Sequence, residues 1–310
     1  MIIILVRHNK NILKVLLQSI TTLFIIVVSA LCPLLLDAQT MHTGTVVNKT
    51  TRMGVPFATI GLMKMNTGTN ANDSGYYQLN TGLKADDTLI VSSVGYFTAK
   101  IPTSQVSSGM VIDLEEKLTP LKEILIAPLT GQMTMINQYN NCGLNSYFSA
   151  GFITQIAQHF AAPVANSRLK EIQICKQGDQ SIFRLRIYSV NPKTGAPDYD
   201  LADTLIEINS SKKKVDIDVS KYNILFPETD FFIAVEWLKI PQNERNIKSK
   251  INNNPFDYVG YSPYLFLRNQ TNSAANTGST AQVWQLTYQG KWLKFYDQEK
   301  VFLISALVAY

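Results

Sequence analysis

The stretch that decides the fold is VPFATIGLMKMNTGTNANDSGYYQL, Val55–Leu79. It reads as an apolar strand, a polar loop and a second strand, Tyr76–Leu79. Near the end of the loop, Asp73 can hydrogen-bond to its own backbone, and Gly75 can adopt the positive φ that a tight reversal needs. We therefore predict two sandwich strands joined through a turn, with Asp73 and Gly75 as its structural residues.

The same loop also looks like the start of a calcium site. Counted from Asn70, an EF-hand loop would use Asn72 and Ser74 as ligands, with Gly75 at the sharp turn. Its twelfth position would be Thr81, where such loops carry a bidentate Glu. The stretch therefore predicts a turn and no metal site.

Outward from this stretch, short apolar runs recur between turn residues through the first third of the chain. Spacing of about eight to twelve residues with Gly, Asn and Asp between the runs is typical of an antiparallel sandwich. The predicted strands are His42–Val47, Val55–Leu62, Tyr76–Leu79, Thr88–Ser92, Tyr96–Ile101, Met110–Leu114 and Leu121–Ala127.

A second strand-rich region follows an amide-rich segment. Ile182–Ser189 alternates apolar and polar residues and predicts a half-buried strand. Phe231–Trp237 is a fuller apolar run, which favours a central strand, and Phe148–Phe160 is ambiguous between helix and strand. We predict loops at Asn243–Asn254 and Asn269–Ala281. The fold class is therefore all-β, with a second, jelly-roll-like β-sandwich after the first.

Several short motifs of the first region coincide in order and spacing. They are Gly44–Val46, Val55–Ile60, Thr67–Thr69, Asp73–Tyr77, Asp87–Leu89 and Val91–Tyr96. Together they resemble the carboxypeptidase-regulatory-like domain, a transthyretin-like β-sandwich, over residues 41–127. The segment is especially similar to versions at the N-termini of TonB-dependent receptors. The resemblance implies no peptidase centre, because in carboxypeptidases the zinc belongs to a separate catalytic domain.

The N-terminus is typical of an export signal. Arg7, Lys10 and Lys14 precede an uncharged run, Val15–Leu36, and a small residue, Ala38, offers a cleavage site. A retained anchor is the alternative, since the uncharged run could span a bilayer. We predict a signal peptide at 1–38, the first sandwich at 39–127, a linker at 128–145 and the second sandwich at 146–310. Membrane contact is expected only through the N-terminal segment, if it is uncleaved.

Composition and charge limit the partners. Of the 310 residues, 46% are hydrophobic and 16% charged, which is ordinary for a globular protein. The net charge of +5 falls by two without residues 1–38, because these hold three basic residues and one aspartate. Such a small charge predicts no nucleic-acid partner. The expected partner is an envelope protein or a glycan.

Two cysteines remain after the signal, Cys142 and Cys175. In an oxidising compartment they could form a disulfide. One buried thiol and one loop thiol is an equal alternative, and the sequence leaves both open.

Residues for catalysis are sparse. The mature chain holds two histidines, His42 and His159, and neither begins a zinc-ligand motif. No Gly-x-Ser-x-Gly elbow, phosphate loop or dinucleotide motif occurs. Glycosidase chemistry would need two nearby carboxylates. The sequence offers Asp216, Asp218, Glu228, Asp230 and Glu236 without placing them together. We predict no catalytic, cofactor or metal residues, although a pocket joining His159 to two carboxylates would favour an enzyme.

Aromatic side chains offer one binding hypothesis. Tyr258, Tyr261 and Tyr264 stand near a proline in an expected loop, and exposed rings on a sandwich are typical sugar platforms. Trp237 is expected in the core, and Trp284 and Trp292 are expected to pair across a hairpin.

The sequence therefore predicts a non-catalytic exported protein that acts as a structural or interaction module. Its expected location is the periplasm, the outer membrane or the cell surface of a Gram-negative bacterium. A carbohydrate-binding, lectin-like protein is the alternative, and an uncharacterised hydrolase is a third reading.

Overall fold

The computed structural model describes residues 18, 20–22, 41–117, 131–139, 141–143, 146–151, 153–202, 204–251, 254–270 and 282–310. The chain divides into two compact units, residues 1–41 with 80–82, and residues 42–79 with 83–310. In the first unit, residues 18 and 20–22 are helical. No helix within the described ranges is long and apolar enough to cross a membrane. The second unit contains both predicted sandwich regions.

The first region forms a β-sandwich of two sheets. Sheet A has the strand order β4-β1-β7, and sheet B has the order β3-β2-β5-β6. The strands are β1 Met41–Asn48, β2 Thr59–Leu62, β3 Thr67–Asn70, β4 Tyr76–Asn80, β5 Thr88–Ser92, β6 Ala99–Pro102 and β7 Met110–Leu114.

Alternation along these strands builds the first core. In β4, Tyr77 and Leu79 are buried while Tyr76, Gln78 and Asn80 are exposed, so one face of sheet A points inward. From sheet B, Ile60 and Leu62 of β2 and Leu89 and Val91 of β5 meet that face. Burial of these side chains on both inner faces is the main stabilising term of the sandwich. The predicted β-sandwich is confirmed.

The turn of the opening stretch is held by a residue other than the predicted one. The Asn72 side-chain oxygen accepts hydrogen bonds from the backbone N–H groups of Ser74 and Tyr76, at 3.0 and 2.9 Å. Asn72 therefore makes the turn contacts that we predicted for Asp73. Gly75 has φ +82°, as predicted, and a side chain there would strike the Val46 carbonyl. The predicted polar loop also contains a strand, β3, which pairs with β2.

Within its described residues the second region contains fifteen strands in three sheets. They are β8 Met133–Ile136, β9 Ser146–Ala150, β10 Ile153–Ala161, β11 Arg168–Cys175, β12 Ser181–Val190, β13 Pro197–Asp200, β14 Ile206–Ser210, β15 Lys214–Asp218, β16 Asp230–Trp237, β17 Glu244–Ile251, β18 Asn254–Asn269, β19 Val283–Thr287, β20 Trp292–Lys294, β21 Lys300–Phe302 and β22 Ile304–Ala309.

Sheet C has the order β13-β12-β16-β10-β19-β20, with β14 also on β12. Sheet D has the order β15-β11-β22-β8, and sheet E contains β17, β18 and β21 with β9 on β18. One continuous core joins inward side chains of all three sheets. Its members include Phe183, Ile233, Ile172, Val308 and Leu265. The second region is thus also a β-sandwich, as predicted.

Two local predictions in this region are wrong, and the structure decides a third that the sequence left open. Within the predicted linker, β8 pairs with β22, so the second sandwich includes residues before 146. The predicted loop Asn243–Asn254 is largely β17, which forms an antiparallel hairpin with β18. The ambiguous stretch Phe148–Phe160 is strand, in β9 and β10.

Other predictions lie outside the described residues. These are most of the signal segment 1–38, the strand Leu121–Ala127 and the core of the loop Asn269–Ala281. The division of the chain into two domains stays a prediction, because residues 42–79 and 83–310 cluster as one unit.

Candidate functional site

The outer face of sheet C carries the polar side chains from which a site can be built. In β12, Phe183, Leu185 and Ile187 enter the core, so Arg184, Arg186 and Tyr188 share the opposite face. We predicted a half-buried strand with this second face in water. Instead Arg184 is 1% exposed and Tyr188 is 6% exposed, so both faces of the strand are covered.

A groove of about 520 Å³ opens at one end of this face. One wall is the hairpin of β12 and β13, which contributes Ser189, Asp198 and Tyr199. The opposite wall contributes His159 from the end of β10 and Asp230 from the start of β16. Antiparallel pairing brings this second wall together, because His159 lies opposite Phe232 and Ala161 lies opposite Asp230. The groove therefore joins side chains that are far apart in sequence.

The centre of the second wall is a histidine–carboxylate pair. Nε2 of His159 lies 2.8 Å from Oδ1 of Asp230, and the hydroxyl of Thr229 donates to Oδ2 of the same carboxylate at 2.9 Å. The ring of Phe232 meets the imidazole edge-on, with centroids 5.5 Å apart. Both oxygens of Asp230 are thus engaged, and its carboxylate fixes the orientation of the imidazole.

The first wall is held by hydrogen bonds within its own hairpin. The backbone N–H of Tyr199 donates to Oγ of Ser189 at 3.3 Å, and that hydroxyl donates to the Tyr199 carbonyl at 3.4 Å. The Ser189 hydroxyl therefore has a structural role, and it is not paired with His159 as a nucleophile would be.

A partly buried ionic network lies behind this hairpin. Nε of Arg186 is 2.6 Å from Asp200, and Nη1 of Arg186 is 3.4 Å from Glu236. The guanidinium also lies over the ring of Tyr188, whose hydroxyl donates to Gln155 at 2.8 Å. Since Asp200 directly follows Tyr199, the network anchors β13 and with it one wall of the groove.

Burial shifts the protonation of this network. It raises the pKa of the Asp200 carboxyl above its usual value, and the neighbouring Arg186 opposes that effect. It also raises the pKa of the Tyr188 hydroxyl, which therefore stays protonated at neutral pH. Tyr188 thus acts as a hydrogen-bond donor to Gln155.

The first sandwich covers the other end of the same sheet face. Arg184 donates to the carbonyl oxygens of Pro56 and Phe57, at 2.8 and 3.2 Å, and its guanidinium lies over the Phe57 ring. Phe57 has φ +52°, an uncommon backbone conformation for a bulky residue. The Pro56–Phe57 corner of the opening stretch is therefore a contact element with the second sandwich.

A second contact between the sandwiches involves Lys239. Its backbone N–H donates to the side-chain oxygen of Asn70 at 2.8 Å, and its amine lies 4.7 Å from the ring centre of Tyr288. Burial lowers the pKa of the Lys239 amine to about 8. Asn70 also donates to Thr59 at 3.1 Å, so the side chains of Asn70 and Asn72 both bind protein groups.

Two glycines make room for Tyr288. Gly61 and Gly68 lie opposite each other in β2 and β3, and the Tyr288 ring packs against both. A β-carbon on Gly68 would lie 2.5 Å from that ring, and one on Gly61 would lie 3.0 Å from it. Sheet B therefore has a glycine recess that only the absence of side chains permits.

The three predicted ligand-facing tyrosines do not form one exposed plane. They lie in strand β18, not in a loop. Tyr258 is 43% exposed, whereas Tyr264 is 3% exposed and cannot face a ligand. Tyr261 is half-buried against the second core. Of the set, Tyr258 alone is on the surface, where its ring stacks with Phe256.

The tryptophans lie close to their predicted places. Trp237 is in the core, with its N–H donating to the Pro263 carbonyl at 2.7 Å. Trp284 and Trp292 lie on the paired strands β19 and β20, but in diagonal register, because Trp284 faces Lys294 and Trp292 faces Leu286. Both belong to an apolar cluster on the outer face of sheet C, next to the groove.

The two cysteines form a disulfide. Cys142 and Cys175 are bonded, with α-carbons 5.4 Å apart, a usual separation for a bridge. The bond joins β11 to the segment that follows β8 and lies beside Tyr139, Phe266 and Leu303.

No group of three or more His, Cys, Asp or Glu side chains suited to a metal occurs within the described ranges. Of the carboxylates named from the sequence, Glu228 and Asp230 lie in the groove and Glu236 lies in the ionic network. Asp216 and Asp218 lie on the exposed face of β15, away from the groove. Sequence reasoning missed Asp198, Tyr199 and Arg184, since no local pattern marks a residue that another element covers.

Comparison with known proteins places the first region in a family. Residues 42–126 match the family model of the CarboxypepD_reg-like domain, as the resemblance predicted. A search of curated protein sequences finds no match.

Among solved structures, the clostridial cysteine protease Cwp84 after propeptide cleavage aligns at 10% identity and a TM-score of 0.38. That alignment covers 76% of this chain and 54% of the protease. The cysteine protease and lectin-like domains of Cwp84, a surface layer associated protein of Clostridium difficile, align at 11% identity and 0.31, over 77% and 48%. This chain thus spans about half the length of both structures.

A Bacteroides uniformis protein proposed to bind carbohydrate aligns at 12% identity and a TM-score of 0.22, over 73% of this chain and 97% of its own. Likeness at this level carries no argument about activity. The family match and the sandwich of sheets A and B agree over the same residues. Residues 42–126 of this chain are therefore a CarboxypepD_reg-like domain.

Proposed function

We propose that this protein is a non-catalytic, exported binding protein of the cell envelope, whose second sandwich binds a carbohydrate in the groove between His159 and Tyr199. The first sandwich acts as a structural module that covers the far end of the same sheet. The location in the envelope of a Gram-negative bacterium is part of the proposal. The disulfide between Cys142 and Cys175 supports export, because such bonds persist in oxidising compartments.

One observation carries the binding role. The groove combines hydrogen-bonding groups on one wall, His159 and Asp230, with Tyr199, a ring that is 43% exposed, on the other. Sugars have hydroxyl edges that pair with carboxylates and imidazoles, and C–H faces that pack on aromatic rings. Because the partly buried Arg186 network anchors the hairpin, the walls are held in place before a ligand arrives.

A glycan array with the mature protein tests the proposal. We expect the wild type to retain a defined set of glycans, and Tyr199→Ala with Asp230→Asn to lose them. Tyr258→Ala is the matched control, since it removes an exposed tyrosine of similar area outside the groove. The proposal would be contradicted if the wild type bound no glycan on the array. It would also be contradicted if Tyr258→Ala abolished binding while the groove variant kept it.

A hydrolase is the second candidate, because His159 does lie beside carboxylates in one groove. The pair of His159 and Asp230 could orient a water molecule as a general base. Against this, the Ser189 and Thr229 hydroxyls are engaged elsewhere, and Asp230 is 49% exposed at its side chain. Release of reducing ends from an array-positive glycan, lost in His159→Ala, would decide for the enzyme.

A further inference from the structure

The charges around the groove are uneven. Its lining includes the carboxylates of Asp198, Glu228 and Asp230, and none of the described lining residues is a lysine or arginine. Among the described lining residues His159 is the one basic side chain, and its Nε2 lies 2.8 Å from Oδ1 of Asp230. A ligand in the groove therefore meets more acidic than basic side chains.

The basic residues described near the groove form no ion pair with Asp198 or Glu228. Arg186 is held behind β13 by Asp200 and Glu236. Lys193 stands in the turn between two lining residues, Pro192 and Gly195, but does not itself line the groove. Within the described ranges neither Asp198 nor Glu228 takes part in an ion pair. Two carboxylates are thus available to a ligand.

The rest of the lining is apolar. Val190, Pro192, Leu201 and Pro227 surround the polar groups. Such surfaces pack against the C–H face of a sugar ring and leave the substituents to the carboxylates. The occupant that satisfies both features is a pyranose with a charged amine.

We infer that the groove selects amino sugars with a free, positively charged amine and rejects sugars that carry a carboxylate. The inference rests on the proposed function and names the ligand class of the same site. The amine would lie between the carboxylates of Asp198 and Glu228. A uronic acid in the same place would bring a further negative charge beside them.

The test compares three monosaccharides of similar shape by ligand-observed NMR titration of the full mature chain. The probes are glucosamine, N-acetylglucosamine and glucuronate, at low and at high sodium chloride. At low salt we expect glucosamine to bind roughly fivefold tighter than N-acetylglucosamine, about the worth of one close charge pair in water, and glucuronate to bind more weakly than either. High salt should reduce the ratio between the affinities for glucosamine and N-acetylglucosamine, because salt screens exposed charges.

Variants locate the effect. Glu228→Gln and Asp198→Asn should each reduce the preference for glucosamine while leaving N-acetylglucosamine affinity nearly constant. Asp113→Asn is the control, because it removes an exposed carboxylate on the first sandwich. Equal binding of the three sugars, or a preference for glucuronate, would overturn the charge selection and leave the carbohydrate proposal standing. Failure of all three probes overturns this inference, and the glycan array then decides the proposed function separately.

Discussion

Arg184 of the second sandwich and Phe57 of the first are joined twice, by a hydrogen bond from the guanidinium to the Phe57 carbonyl at 3.2 Å and by the guanidinium lying over the Phe57 ring. Burial lowers the pKa of Arg184, and Glu236 opposes that effect. Removing the Arg184 charge is costly, since the carboxylate of Glu236, which it partly compensates, remains buried.

We therefore expect Arg184→Ala to destabilise the protein by about 3 kcal/mol. The wild type should melt in one calorimetric transition, and the variant should melt at a lower temperature, because the sandwiches lose one of the contacts between them. Lys64→Ala removes an exposed pair with Asp86 and serves as the control, with a change below about 0.5 kcal/mol. A single unchanged transition in Arg184→Ala would show that this contact does not hold the sandwiches together.

Because of Lys239, the stability of the folded chain should depend on pH in the alkaline range. Its pKa is about 8 in the folded chain against an ordinary value of 10.5, so the unfolded chain binds more protons between these pH values. The free energy of unfolding of the wild type should therefore rise between about pH 8 and pH 10.5. Below about pH 8 the fold bears the full cost of burying the charged amine. Lys239→Met should be more stable at pH 7 by about 2 kcal/mol, with the gain gone near pH 10.5. Denaturant titrations across this range measure it, and parallel curves for both proteins would refute it.

The disulfide should contribute strongly to the stability of the fold. Cys142 and Cys175 are 33 residues apart, and closing a loop of that length is worth about 3–4 kcal/mol in the chain-entropy account. Reductant should lower the melting temperature of the wild type and leave that of the double Cys→Ser variant unchanged. Thiol titration of the unfolded mature chain, which lacks Cys32, should find no free thiol without reductant. An equal response of both proteins to reductant would count against the bridge.

Gly75 and Gly95 form a matched pair. Both have positive φ, at +82° and +79°, but a β-carbon on Gly75 strikes the Val46 carbonyl while one on Gly95 meets open space. Gly95→Ala should cost about 1 kcal/mol for its backbone conformation alone. Gly75→Ala should cost clearly more, measured by urea unfolding. Equal losses of stability in the two variants would mean that the backbone conformation alone sets the cost and that the structure relieves the collision at position 75.

Substitutions can also separate the roles of the two turn residues, Asn72 and Asp73. Asn72→Ala removes the acceptor for two backbone N–H groups and should cost about 1–2 kcal/mol. Asp73→Ala should change stability by less than about 0.5 kcal/mol, as for an exposed residue. The reverse order would restore Asp73 to the role that the sequence predicts.

Much of the fold could be predicted because local alternation reports which side of a strand enters the core. Val215 and Ile217 are buried between exposed neighbours in β15, as their pattern predicts. The same alternation places Arg184 on the opposite face of β12 but cannot tell what covers that face. Its cover, the Pro56–Phe57 corner, lies 127 or more residues away in the chain.

The site escaped prediction for a related reason. His159 and Asp230 are 71 residues apart and meet only through the register of β10 with β16. Tyr264 was expected in a loop, whereas it belongs to β18 and is buried. Residue types indicated candidates for chemistry, and long-range strand pairing decided which of them came together.

The glycine recess under Tyr288 limits how freely this chain can exchange parts. CarboxypepD_reg-like domains are small units that could in principle be transplanted between proteins as cassettes. A donor domain with a side chain at the position of Gly68 would collide with the Tyr288 ring, and one with a side chain at the position of Gly61 would force that ring to shift by a few tenths of an ångström. A working chimera must therefore carry glycine at the position of Gly68 and is best served by glycine at that of Gly61, so this pair serves as a criterion for choosing compatible donor sequences.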